Sequence, residues 1–277
     1  MGVDDTYTIN EDTLLDADGA LFASVRDNDS DNETANASLI IDLVTDATDG
    51  TLVLDNDGTF TYQGDLNFNG QDQFTYYIHD GEDDSDPVTV TINVSAVNDA
   101  PVATFNTQQD VNEGSGMAPG QLTATDIDTG DEANLTFADT TGGIAGLTIN
   151  ADGSFMFDTS DAAYEDLDTG DISTINVTYS VTDPNSDEGN GAFDIVITGT
   201  NDAPVATFTT PQTVAEDAAA ITDTLTATDA DAGDVLTFTL DAVTDGLTLA
   251  GAVWTFDPSD AAYQSLAIGE SQIITVN

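Results

Sequence analysis

Positive charge is almost missing from this chain. Its 277 residues include a single Lys or Arg, Arg26, and a single histidine, His79, against 53 Asp plus Glu, for a formal net charge of −52. Nucleic acids are bound by Lys and Arg that neutralise phosphates, and anionic membranes by basic clusters. A chain with one such residue fits neither class. Cysteine is absent, which excludes disulfides and thiolate metal sites and leaves a metal staple as the remaining cross-link. No run approaches the roughly 18 apolar residues of a membrane-spanning helix, so no membrane insertion is expected. The first fifteen residues hold Asp4, Asp5, Glu11 and Asp12 and no apolar block, which is unlike a secretory leader. Catalytic side chains are scarce as well. A Ser-His-Asp arrangement could draw only on His79, which stands between an alternating run and Asp80-Gly81 and reads as a strand-end histidine. Carboxylate pairs of the glycosidase kind are unavoidable among 53 acids and mean nothing alone. The sequence reads as a non-enzyme.

Hydrophobic residues make up 39% of the chain, too many for the disorder that such a charge otherwise favours. They alternate with polar ones, which puts them on one face of a strand. Val88, Val90, Ile92 and Val94 alternate with Thr89, Thr91 and Asn93. Phe74, Tyr76 and Ile78, then Phe193, Ile195 and Ile197, then Leu236, Phe238 and Leu240 show the same pattern. Asp57-Gly58 and Asp152-Gly153 separate such runs and predict hairpin turns. The one candidate helix is a short one over Asp161 to Leu167. Trp254, in Val253-Trp254-Thr255-Phe256, is expected to be a core residue.

The chain repeats itself. Asn98-Asp99-Ala100-Pro101-Val102-Ala103-Thr104-Phe105 returns at Asn201 to Phe208, an offset of 103. Thr123-Ala124-Thr125-Asp126 returns at Thr226 to Asp229 with the same offset, and Phe157 to Tyr164 returns at Phe256 to Tyr263 with an offset of 99. A period near 100 residues matches one small β-sandwich rather than a solenoid unit. The expected organisation is all-β: tandem immunoglobulin- or cadherin-like sandwiches, end to end, over 1–97, 98–200 and 201–277, the third repeat C-terminally truncated. The first repeat is the more distant relative, and it is expected to begin just after an Asn-Asp-Ala-Pro linker.

Some acids keep register across the repeats. Glu11, Glu113 and Glu216 each lie about ten residues into a repeat. Asp29/Asp31, Asp126/Asp128 and Asp229/Asp231 form Asp-x-Asp pairs; Asp80 and Asp183 each follow a strand; Asn98-Asp99 and Asn201-Asp202 mark the linkers. Two carboxylates about 5 Å apart repel by roughly 3 kcal/mol at an effective dielectric near 20. A Ca²⁺ ion reverses that sign, because it takes six to eight oxygen ligands. An EF-hand does not account for these acids. Starting from Asp27-x-Asp29-x-Asp31, Asn32 replaces the turn glycine and Ser38 stands where the bidentate Glu belongs.

These motifs carry a family resemblance. Repeats two and three resemble VCBS repeats, through Asn-Asp-Ala-Pro-Val-Ala, Thr-Ala-Thr-Asp and Phe256-Asp257-Pro258-Ser259-Asp260-Ala261-Ala262-Tyr263. Repeat one resembles the related tandem cadherin-like repeats of large bacterial surface adhesins of the RTX-adhesin type, through Asn10-Glu11-Asp12-Thr13, Gly58-Thr59-Phe60-Thr61-Tyr62 and Asn67 to Tyr76. The resemblance implies calcium-binding extender or adhesion repeats on a bacterial cell surface, made rigid by Ca²⁺ at inter-repeat junctions. It implies one ligand set of Glu11, Asn98, Asp99, Asp126, Asp128 and Asp183, and a second of Glu113, Asn201, Asp202, Asp229 and Asp231. Asp29, Asp31 and Asp80 would serve a junction before residue 1. Cadherin linkers carry a further Asp two residues before the Asn, where this chain has Ala96 and Gly199. The partners so implied are neighbouring repeats of the same chain. The alternative is a module binding surface polysaccharide or another cell's ligand. A further alternative is a salt-adapted structural repeat without specific ion sites.

Overall fold

A computed structural model describes residues 1–208, 210–231 and 233–276. The chain divides into two compact units. One comprises residues 1–101 with 126–134 and 183–187; the other comprises the remainder.

In the first unit, β1 (Asp5–Asn10), β7 (Val88–Ser95), β6 (Gly70–His79) and β3 (Ile40–Thr45) lie in that order in one sheet. β1 runs parallel to β7, and the other pairs are antiparallel. The second sheet is β2 (Leu14–Ala17), β5 (Phe60–Gly64) and β4 (Gly50–Leu54). The alternation read from sequence decides which face is covered: Val88, Val90, Ile92 and Val94 are all buried while Thr89, Thr91 and Asn93 are not. Leu15, Phe60 and Tyr62 meet them from the other sheet. Phe60 stands edge-on to both Tyr7 and Phe74, at centroid distances of 5.1 and 5.3 Å, a favoured aromatic geometry. The Asp57-Gly58 turn closes the β4–β5 hairpin. Gly58 has φ +84°, a left-handed conformation that glycine adopts without penalty.

The second unit repeats this plan. β9 (Gln109–Asn112), β16 (Glu188–Thr198), β15 (Ile172–Thr182) and β12 (Thr136–Asp139) form a four-stranded sheet, with β9 parallel to β16. β10 (Met117–Gln121), β14 (Ser154–Asp158) and β13 (Leu147–Ile149) form the three-stranded one. Phe193, Ile195 and Ile197 are buried as the period-2 pattern requires. Gly191 faces Tyr179 across the sheet, and a Cβ there would lie 2.4 Å from the ring. Asp152-Gly153 turns between β13 and β14 as expected. β8 (Val102–Ala103) pairs with β11 (Ala124–Thr125).

Among the described residues, the last repeat has only the smaller sheet, β18 (Ile221–Thr224), β21 (Val253–Phe256) and β20 (Leu247–Ala250), and a short pair, β17 (Val205–Ala206) with β19 (Ala227–Thr228). Two sequence expectations fail here. Leu236, Phe238 and Leu240 keep their alternation of exposure but join no sheet. Their counterpart β12 pairs with residues 179–182, and no strand corresponding to that partner is found in the last repeat among the described residues. The segment Asp161 to Leu167 makes turns instead of a helix. Trp254 is half-buried, edge-on to Phe208 at 6.3 Å, because the four-stranded sheet that would cover it is not among the described strands. His79 ends β6, with Nδ1 2.9 Å from Asp84 Oδ1. Among the described residues, no helix is long and apolar enough to cross a membrane.

Candidate metal centre

Glu11 follows β1 directly and is 5% exposed. Val97 N–H donates to its Oε1 at 2.6 Å, and Asn69 Nδ2 to its Oε2 at 3.2 Å. Both bonds hold the carboxylate beside the linker. There, Asp99 N–H donates to Asp128 Oδ2 at 2.8 Å. Oxygens of Glu11, Asp99 and Asp128 lie within 4.8 Å of one another, and so do oxygens of Asp126, Asp128 and Asp131. Asp128 belongs to both groups. Burial raises the pKa of Asp99, helped by Asp128, Asp12, Glu11 and Asp126 around it. Burial and the charges of Asp126, Asp128 and Asp183 raise that of Asp131. Asn98 spans the other side, donating from Nδ2 to Asp183 Oδ2 at 2.6 Å and Asp187 Oδ2 at 2.7 Å. Its Oδ1 accepts from Asn185 Nδ2. The Asn98 bond, aided by backbone N–H groups of Asp187, Asn185 and Ser186, holds Asp183 below the usual carboxylate range.

The second unit carries the matching residues. Glu113, 3% exposed, accepts Thr200 N–H at Oε2 (3.0 Å). Asp202 N–H donates to Asp231 Oδ2 at 2.6 Å, repeating the Asp99–Asp128 bond. Asn201 Nδ2 donates to the Asp202 carbonyl, so this amide is turned to its own backbone. Oxygens of Asp229, Asp231 and Asp234 gather within 4.8 Å, whereas Glu113 and Asp202 join no such group among the described residues. Glu216, half-buried, joins none either.

Asp29, Asp31 and Asp80 are not gathered into a group of three among the described residues. Asp29 is buried, receives Val3 N–H at Oδ1 (2.9 Å) and has the Tyr76 hydroxyl 2.9 Å from Oδ2. Asp31 Oδ1 accepts Glu33 and Thr34 N–H at 2.8 and 2.7 Å, and Asp80 Oδ1 accepts Glu82 and Asp83 N–H, both at 2.8 Å. Those backbone bonds hold both acids below the ordinary range.

The donor set fits a hard divalent cation. Eight buried side-chain polar atoms lack a partner among the described residues, and six are carboxylate oxygens: Asp99 Oδ2, Glu113 Oε1, Asp126 Oδ2, Asp168 Oδ1, Asp202 Oδ2 and Asp231 Oδ1. An ionised carboxylate only accepts, so these atoms call for a donor or a cation, and an unpaired buried charge costs several kcal/mol. One Arg cannot serve them. Sequence reasoning missed Asp131, Asp168, Asp187 and Asp234. The offset of 103 that relates Asp128 to Asp231 also relates Asp131 to Asp234, so that signal was present.

Residues 1–96 match the family model described as bacterial cadherin-like domain. Among solved structures, the chain is similar to mouse Cadherin-23 EC22-24, with 19% identity, a TM-score of 0.57, and coverage of 91% of this chain and 84% of that one. Human CDH23 EC21-23 gives 18%, 0.53, 91% and 86%. At these identities the likeness is one of fold. No curated protein sequence matches the chain.

Proposed function

We propose, from the premise that residues 1–96 are a bacterial cadherin-like domain, that the chain is a run of calcium-binding repeats from a bacterial cell-surface adhesin. The repeats span 1–97, 98–200 and 201–277, the latter two of VCBS type. Ca²⁺ held where one repeat follows the next would turn flexible links into a stiff extracellular spacer, with no catalytic role. The first site draws on Glu11, Asn98, Asp99, Asp126, Asp128 and Asp183, the second on Glu113, Asn201, Asp202, Asp229 and Asp231, and Asp29, Asp31 and Asp80 serve a preceding neighbour. The observation that carries this reading is the set of unpartnered buried carboxylate oxygens: five of the six belong to residues in register between repeats. Calcium suits them better than Mg²⁺, which demands a near-ideal octahedron and keeps its waters.

Small-angle scattering of the chain in calcium and then in EGTA tests the proposal. Extended, stiff dimensions that collapse on chelation are expected; dimensions and melting temperature that ignore chelation refute it. The net charge of −52 also favours a second reading, a salt-adapted surface. That reading requires molar NaCl to stabilise the chain as well as millimolar CaCl₂ does.

A further inference from the structure

We propose that Asn69 is a site of non-enzymatic deamidation, and that the reaction turns the side-chain donor of Glu11 into a carboxylate that repels it. The proposal goes beyond the calcium reading and needs no bound ion. Asparagine is a thermally labile residue. It loses its amide most readily when glycine follows, because glycine has no side chain to shield its backbone nitrogen. The chain has two such steps, Asn69-Gly70 and Asn190-Gly191.

The chemistry is complete with water alone. The Gly70 nitrogen attacks Cγ of Asn69, and the new C–N bond closes a succinimide ring. The Cγ–Nδ2 bond breaks, and ammonia leaves with the proton that Gly70 gave up. Water then opens the ring. Cleavage at Cγ gives aspartate, and cleavage at the main-chain carbonyl gives isoaspartate.

The fold separates the two steps. Asn69 lies in the loop that joins β5 to β6, and both Asn69 and Gly70 are exposed. Gly70 is the terminal rung of β6, at φ +141°, where fraying costs least. Asn190 and Gly191 instead lie inside β16, paired with Ser180 and Tyr179 of β15. A Cβ on Gly191 would stand 2.4 Å from the Tyr179 ring, so that ring covers the backbone there. Ring closure bends the main chain away from extended geometry, and a paired strand must first open to allow it.

Asn69 is also placed where the change matters. Its Nδ2 donates to Glu11 Oε2 at 3.2 Å, and Val97 N–H holds the other oxygen. Glu11 is 5% exposed, and its oxygen already lies within 4.8 Å of oxygens of Asp99 and Asp128. In the aspartate product an oxygen stands where Nδ2 stood. A donor is lost, and a further carboxylate faces a buried one at close range, where like charges repel.

Incubation of the whole chain in EGTA at mildly alkaline pH, with peptide mapping by mass spectrometry, tests the site. In the folded chain Asn69 is expected to convert about tenfold faster than Asn190, and in urea the two should convert at similar rates. Equal rates in the folded chain overturn the proposal, as does an Asn69 that converts only in urea. Asn69→Asp reads the consequence, since the change is isosteric and exposed. This variant is expected to melt several degrees below the parent in EGTA. An unchanged melting temperature overturns the proposed effect on Glu11. Neither readout uses calcium, so failure of the calcium reading leaves both intact.

Discussion

Replacing Glu11 by Gln changes the sign of an interaction without changing its shape. The Glu11 carboxylate is buried, and its oxygen lies within 4.8 Å of oxygens of Asp99 and Asp128. At that spacing and an effective dielectric of about 20, one such pair repels by about 3.5 kcal/mol before salt screening. Asp99 and Asp128 are half-buried, so the realised repulsion is a fraction of this, about 1 kcal/mol per pair. In EGTA, Glu11→Gln relieves both pairs. Because 1 kcal/mol moves the melting temperature of a small domain by roughly 4–8 °C, the variant melts several degrees higher than the parent. The Gln carbonyl still accepts Val97 N–H, so the local bond survives. In calcium the order reverses. Ligand at about a hundred times its Kd stabilises the native state by roughly 2.7 kcal/mol, some 10–20 °C on the same scale, and the variant loses most of that gain. Circular dichroism melts in both buffers read the two effects. Equal calcium gains in parent and variant, with equal melting in EGTA, refute the reasoning.

Acidity gives an independent check in EGTA. Burial, partly offset by the Tyr76 hydroxyl, pushes Asp5 up to about 7, and Asp99, Asp131 and Asp168 are also raised. A raised carboxyl pKa means that the native state binds its proton more tightly than the unfolded chain, so stability should rise as pH falls from about 7 toward 3.8. Below 3.8 it should fall again as Asp183, held low by Asn98, takes up a proton; a melting temperature that drops steadily from pH 7 downward contradicts this. Asn98→Ala removes the amide that holds Asp183 and Asp187, and carboxyl-resolved NMR titration should show Asp183 moving up toward the ordinary range. Phe74→Ala opens a cavity in the first core, where Phe74 is fully buried against Phe60, and should cost about 3–5 kcal/mol in urea unfolding.

The strands were legible where alternation is strong and a turn motif marks their end. The alternation of Val88 to Val94 named the buried face of β7, and Asp57-Gly58 and Asp152-Gly153 named two turns, because period 2 and a positive φ are local demands. Leu236 to Leu240 carries the same period and joins no sheet among the described residues, because strand pairing is non-local and period 2 does not supply a partner. Asp161 to Leu167 has helix-forming residues yet makes turns, since Tyr164 packs onto Phe157 at 5.3 Å and its hydroxyl donates to the Ala145 carbonyl. Repeat register identified five of the six acids whose buried oxygens lack partners. It could not separate them from Asp31 and Asp80, which share that register but spend an oxygen on two backbone N–H groups each. Asp168 was invisible in sequence, because the burial of its Oδ1 depends on the fold and not on a motif or a repeat offset.

On the reading proposed above, the in-register acids bind calcium specifically. Isothermal titration with CaCl₂ in a fixed background of about 0.15 M KCl, a Debye length of roughly 8 Å, tests it most directly. Saturable binding to a small whole number of sites is expected, with Glu11→Gln and Glu113→Gln each weakening it and Mg²⁺ competing poorly. Featureless heats that vanish at this ionic strength, or binding unchanged in both variants, would contradict it.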